Sequence, residues 1–399
     1  MSKAVNIVTI NDILESAKKY GKHNILSWNP AVYRDNKQKN KQSKFDCTWV
    51  PFKLKLVSGE EVDLKKIKYM KVITASGAKL PSASSPDEAV KNLLIAFRKL
   101  TLKEILVGDY APKIKEDEKS QQEENERAEK EATILKKNTD DFNDAMEAID
   151  LSYQHIVEEL KNSKQLGFTL NKDTVKAKQI RDQAKKAKKK PEEIEEEVNK
   201  AVTVFSFRQV SYEDQKTKQD VEIDTPLTRI KLMISDKDKK VGTQMYSRDQ
   251  GRYIFTPNVY NARKKDKDGN PQIARVKVNG KLELLDSNTA QKFITYKSCI
   301  GGILDISEIV ISKFGISLFN RFKETYVKRY KSTTSEPTFT AEEFKELQGS
   351  DDDKNDELEI ELNKGSNNTD DNSGLSDLEE ADNLNNEEEL DEVLSSDDD

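Results

Sequence analysis

The sequence predicts an α+β body with an inserted charged helical hairpin and a disordered acidic C-terminal tail. Three observations predict it. Polarity alternates with period two in two separate stretches, a Glu/Lys/Gln-rich segment with helical spacing lies between them, and the sign of the charge reverses near residue 350. Apolar and charged residues each make up 35% of the 399 residues. That apolar share is low for a wholly packed globule, so part of the chain is expected to stay solvated.

The opening reads as a short amphipathic helix. Thr9 can cap it with Asp12 closing the box, Ile13, Leu14, Ala17 and Tyr20 share one face, and Gly21 is a stop. After a polar loop, the stretch 45–57 alternates as a strand. Val50, Phe52, Leu54 and Leu56 are expected on one side and Trp49, Lys53 and Lys55 on the other, with Pro51 marking an edge or bulge. A Lys-rich strand pattern continues over 62–75. Ser85-Pro86-Asp87-Glu88 has the form of a helix start, and Leu93, Leu94 and Phe97 then suggest a buried helical face.

Residues 113–200 read as helix almost throughout. Leu135, Phe142, Met146, Ile149, Tyr153, Ile156 and Leu160 form a seam of three- and four-residue steps. A second helix is expected from Pro191. The seam should therefore pair with that helix or drive self-association into a homo-oligomer. Strands return over 201–210, 227–234, 252–256, 273–278 and 308–319, a number and length that suggest a small barrel or sandwich rather than a parallel sheet. In the second of these, Ile230, Leu232 and Ile234 oppose Arg229 and Lys231. From Ser350 on, no core-forming periodicity is evident. The expected organisation is a first core part at 1–112, the insertion at 113–200, a second core part at 201–331 and the tail at 332–399.

Charge narrows the partner class. Residues 350–399 hold 21 acids and 2 bases, a net of −19; taking these from the totals of 73 and 67 leaves 52 acids and 65 bases in 1–349, a net of +13. A body of that sign suits a polyanion, nucleic acid being the commonest, although a merely Lys-rich protein has the same composition. Two cysteines, Cys47 and Cys299, fit a reducing compartment without a disulfide framework. Neither an h-region nor a spanning apolar run appears, so no membrane partner is expected.

Little in the sequence promotes catalysis. His23 and His155 are the whole histidine complement, the cysteines lie far apart, and Gly301-Gly302 lacks the Lys-Ser/Thr of a phosphate loop. No metal, cofactor or enzymatic activity is expected.

Proteins that hold single strands need cations for phosphates and flat rings for bases. Trp49, Lys53 and Lys55 on one strand face meet both needs, although a strand Trp is more often core. Arg252 and Tyr253 belong to a second basic-aromatic stretch with Tyr246, Tyr260 and Arg263; Arg229, Lys231, Arg275 and Lys277 add cations on strand faces. These nine residues, Trp49, Lys53, Lys55, Arg229, Lys231, Arg252, Tyr253, Arg275 and Lys277, are the candidate nucleic-acid-binding set. The tail can mimic a polyanion in the body's own groove, and its spaced leucines can dock partner proteins; a plain solubility tail has the same composition.

Several segments resemble the single-stranded-DNA-binding protein family of nucleocytoplasmic large DNA viruses, the African swine fever virus type. These are Ile10-Asn11-Asp12-Ile13-Leu14-Glu15-Ser16-Ala17-Lys18 with Ile25-Leu26-Ser27-Trp28, then Thr225-Pro226-Leu227-Thr228-Arg229-Ile230-Lys231-Leu232, and then the run from Gly302 to Ser317. The resemblance covers about residues 7–110 and 200–330, in the same order. It implies an OB-fold-like β-barrel core that coats single-stranded DNA during viral replication, repair or recombination in the host cytoplasm, with replication proteins as partners of the tail. Two other readings stay open: an acidic-tailed scaffold or histone-chaperone-like protein that binds basic partners, and an RNA-binding protein.

Overall fold

A computed structural model describes residues 7–30, 48–80, 92–162, 175–200, 204–213, 220–329 and 359–360, apart from breaks at 236, 248–251, 266, 268, 279 and 313–314. The expected cap at the first helix is present. Strand β1 (Val8–Thr9) leads into helix α1 (Ile10–Tyr20), where the Thr9 hydroxyl accepts from the Asp12 amide and the Asp12 carboxylate accepts from the Thr9 amide. Satisfying two otherwise orphaned amides is what fixes the start of the helix there.

The strands that follow are β2 (Leu26–Trp28), β3 (Thr48–Lys55), β4 (Glu61–Val62) and β5 (Ile67–Ile73). In β3 the expected alternation holds: Val50, Phe52 and Leu54 are buried while Lys53 is exposed. Pro51, which has no amide to donate, sits at the last register position of β3 against its partner, opposite Glu308.

One expected helix is a strand instead. Residues 81–91, including the Ser85 start, lie outside the described residues, but Asn92–Phe97 forms β6, antiparallel to β9 (Asp220–Met233). Leu93, Ile95 and Phe97 are its fully buried positions, a period of two that the apolar run concealed by also offering helical steps.

Short helix α2 (Leu102–Ile105) and a 3-10 turn (Gly108–Tyr110) precede α3 (Glu118–Asn162), a single helix of 45 residues. The seam from Leu135 to Leu160 is buried as expected. Its partner differs from the expectation. Rather than pairing in a helical hairpin, α3 packs on α1, β2, β5 and β8 (Arg208–Glu213), and its seam joins the main core. The shorter α4 (Val175–Lys186) and α5 (Pro191–Lys200) pack on one another. The segment is thus part of the body's core, because its apolar face is wide enough to cover a sheet.

Strands β7 (Val204–Phe205), β10 (Thr243–Ser247), β11 (Arg252–Thr256), β12 (Val259–Lys265), β13 (Pro271–Ile273), β14 (Arg275–Val278) and β15 (Lys281–Leu284) follow, then helix α6 (Ser287–Phe293). Next come β16 (Cys299–Asp305), β17 (Glu308–Ser312), β18 (Gly315–Leu318) and β19 (Arg321–Lys328), with β20 (Glu359–Ile360) far along the tail. The stretch expected as one strand over 308–319 is the hairpin β17–β18.

The central sheet runs β1-β5-β16-β19-β12-β13, with β9 joined to β19 and carrying β6 and β8. A second sheet runs β2-β3-β17-β18-β7, and two smaller ones are β10-β11 and β15-β14-β20. These paths are open. The pairings of the described residues draw a mixed α+β body with several sheets, and not a closed barrel. At the centre, β16 and β19 approach so closely that a Cβ on Gly302 would lie 1.9 Å from the Glu324 carbonyl oxygen. No described helix is long and apolar enough to cross a membrane.

Candidate nucleic-acid interface

The central strands present two faces. Tyr69, Phe322, Thr325 and Val327 point into the core and are buried. One residue along, the outer face carries Lys68 and Met70 from β5, Gly301 and Ile303 from β16, and Glu324, Tyr326 and Lys328 from β19. With Ile7, Lys71, Tyr110, Glu131 and Ile134 they line an open cavity of about 740 Å³. Gly301 forms part of its floor, where a Cβ would come within 3.3 Å of the β5 backbone.

The chemistry of this surface is mixed by design of the sheet. Tyr260 on β12 lies directly beside Tyr326 in the parallel register, and their rings stack at 5.0 Å and 23°. Met70, Ile7 and Ile134 are more than half exposed, so the cavity offers apolar surface to whatever enters it. Lys68, Lys71 and Lys328 supply cations. The Lys328 ammonium lies 5.9 Å from the Tyr110 ring centroid and 3.6 Å from a Glu131 carboxylate oxygen. Two acids, Glu131 and Glu324, offset part of the charge, and the Tyr326 hydroxyl donates to Glu324 at 3.2 Å. Burial, then the Glu324 charge, pushes the Tyr326 hydroxyl up to about 12, so it stays protonated at neutral pH. Burial likewise pushes the Cys299 thiol up to about 11, which keeps it in the thiol form at neutral pH.

The nine residues expected from sequence are spread over four sheets. Arg252 and Tyr253 are on β11 of the two-stranded sheet, and Arg275 and Lys277 are on β14 of the three-stranded one. Lys53 and Lys55 stand on β3 beside β2, where the Lys55 ammonium donates to the Asn24 carbonyl at 3.3 Å. Arg229 donates to the Gln209 side chain at 2.6 Å.

Two of the nine do converge. Lys231 pairs with Arg321 where β9 meets β19. Arg321 lies over the Phe319 ring at 4.9 Å, and Phe319 meets Trp49 edge-on at 5.9 Å. Trp49 is half-buried there against Val310. Asp305, itself buried, holds Arg321 at 3.5 Å and Lys323 at 3.2 Å. This patch adjoins the cavity along β19.

The residues that sequence reasoning missed are Lys68, Lys71, Arg321, Tyr326 and Lys328. A signal existed for three of them. Arg321-Phe322-Lys323-Glu324-Thr325-Tyr326-Val327-Lys328 reads as a strand with one irregularity at Lys323, with Phe322, Thr325 and Val327 inward and the basic and tyrosine residues outward. Among the described residues, no group of three or more His, Cys, Asp and Glu is placed to hold a metal ion. Compared with known proteins, the chain matches no protein-family model and no curated protein sequence.

Proposed function

We propose that the chain binds single-stranded nucleic acid with little sequence preference, DNA in the first place, in viral DNA replication, repair or recombination. The observation that carries this reading is the outer face of the central sheet, which sets the Tyr260–Tyr326 stack beside Lys68, Lys71 and Lys328. A strand laid there can stack bases on tyrosine and place phosphates near the lysines. The carboxylates of Glu131 and Glu324 favour the same polarity, since they repel phosphate from the floor and leave it to the uncharged bases. The Trp49–Phe319–Arg321 patch extends the aromatic and basic surface along β19. An exposed sheet face of this kind is the platform an OB-fold-like core uses, and the grip needs no closed barrel.

The test is binding of the full chain to oligo-dT, duplex DNA and RNA of equal length at two salt concentrations. Tyr326→Ala should weaken oligo-dT binding by ~1–3 kcal/mol, the usual worth of one stacked base, while Tyr326→Phe retains most of it. Equal affinity of the Ala variant and the wild type, or tighter binding of duplex, would overturn the reading.

A further inference from the structure

Strand β14 is occupied on both edges. One takes the hairpin partner β15; the other takes β20, which runs parallel with Glu359 opposite Lys277 and Ile360 opposite Val278. Residues opposite one another in a ladder share a side of the sheet. This register therefore sets an acidic position beside a basic one, and an apolar position beside an apolar one.

The sequences on either side of the pairing match further than the pairing itself. Arg275-Val276-Lys277-Val278 alternates basic and apolar, with Val276 fully buried and Val278 packed on the main core. Glu357-Leu358-Glu359-Ile360-Glu361-Leu362 alternates acidic and apolar for six residues, the only run in 350–399 that does so. Bulk negative charge does not require alternation, and the rest of the tail lacks it. A strand that must present acids to one side and apolar groups to the other does require it. The tail, expected to be disordered from Ser350 on, has one described strand, the two residues Glu359–Ile360.

We propose that the edge of β14 away from β15 is a strand-docking site whose occupant is the segment 357–362 of the chain's own tail. The ladder supplies the geometry, and the match of acids to Arg275 and Lys277 supplies the register. Tethering raises the local concentration of such a segment to roughly millimolar, so a short ladder suffices to hold it. Docking covers the edge that bears two of the expected nucleic-acid cations, which makes the tail a competitor there; this consequence rests on the proposed function, whereas the docking itself does not.

Two measurements on the full chain test it. In a Cys47→Ser background, Lys277→Cys with Glu359→Cys should form an intramolecular disulfide under mild oxidation, whereas Lys277→Cys with Glu388→Cys should not. Equal cross-linking of the two pairs would overturn the docking. The second variant, Ile360→Asp, adds negative charge to the tail but breaks the apolar half of the strand. Docking predicts that it tightens oligo-dT binding at least about fivefold, a low value for coupled sites, towards the affinity of a chain truncated after Gly349. A diffuse polyanionic tail predicts unchanged or weaker binding, and that result would overturn the proposal. If the disulfide forms but no variant binds single strands, docking stands and the proposed function falls.

Discussion

On the inner face of the central sheet, Tyr69, Phe97, Phe142 and Phe322 pack with ring centroids between 4.9 and 6.3 Å apart and essentially no exposure. One residue along the same strands, the outer face sets Tyr326 and Met70 among lysines at the edge of an open cavity. Rings stand on both faces; their neighbours differ. Helix α3 explains the difference, because its seam from Phe142 onward covers the inner face, while Leu135 and Ala132 reach only a small second cluster with Ile73, Tyr110 and Cys299. One face is covered and the other left open by where one helix stops covering the sheet.

The sharpest way to break this comparison is to remove a ring from the covered face. Phe142→Ala should lower stability by about 3–5 kcal/mol in denaturant unfolding, the usual cost of a large cavity in a core. A loss under about 0.5 kcal/mol, the usual size for a surface substitution, would mean the two faces are not different in kind.

A smaller effect is expected at Asp150, also on the covered side. Its burial is the main cause that pushes the carboxyl up to about 6; the Ser206 hydrogen bond, Arg208 and Gln154 pull it partly back, and Glu147 adds to the rise. Since the folded value lies above the ordinary 3.8, the neutral form's contribution is complete below that ordinary value. It is then lost as pH rises through about 6. Asp150→Asn should flatten the stability profile across this window and gain up to about 3 kcal/mol at pH 7.5, at 1.36 kcal/mol per pKa unit. A profile identical to that of the wild type would show that Arg208 compensates the buried charge.

The smallest effect on stability belongs to the open face. Lys328→Glu should change stability by less than about 1 kcal/mol, since its partner Glu131 is an exposed one. The same variant should flatten the slope of log K against log salt for oligo-dT by about 0.7, the value for one phosphate contact on a single strand. An unchanged slope would remove Lys328 from the interface.

Much of the fold was legible where local chemistry decides it. Thr9 and Asp12 form the box their spacing announces, and Val50, Phe52, Leu54, Ile230 and Leu232 are buried as their alternation requires. The seam of α3 was equally plain, but periodicity says only that a face is buried, not what buries it. Leu93, Leu94 and Phe97 misled because Leu93, Ile95 and Phe97 satisfy a strand as well as the others satisfy a helix. The candidate site was the least legible part. Lys68, Tyr110, Ile134, Gly301 and Tyr326 come from five separate stretches, and only the sheet order, with α3 and the 3-10 turn packed beside it, brings them together. Clusters of basic and aromatic residues close in sequence, such as Arg252 and Tyr253, instead lie on a separate small hairpin.

The order of the central sheet also constrains how the chain acquires its shape. Strand β5 must wait for β16, whose Cys299 pairs with Ile73, and β16 in turn waits for β19 to place Phe322 against Tyr69. A nascent chain that ends before Cys299 lacks the two strands, β16 and β19, that join β5 to β9 and β12. Closing loops of that span is slow, and the waiting chain shows unpaired strand edges to its neighbours.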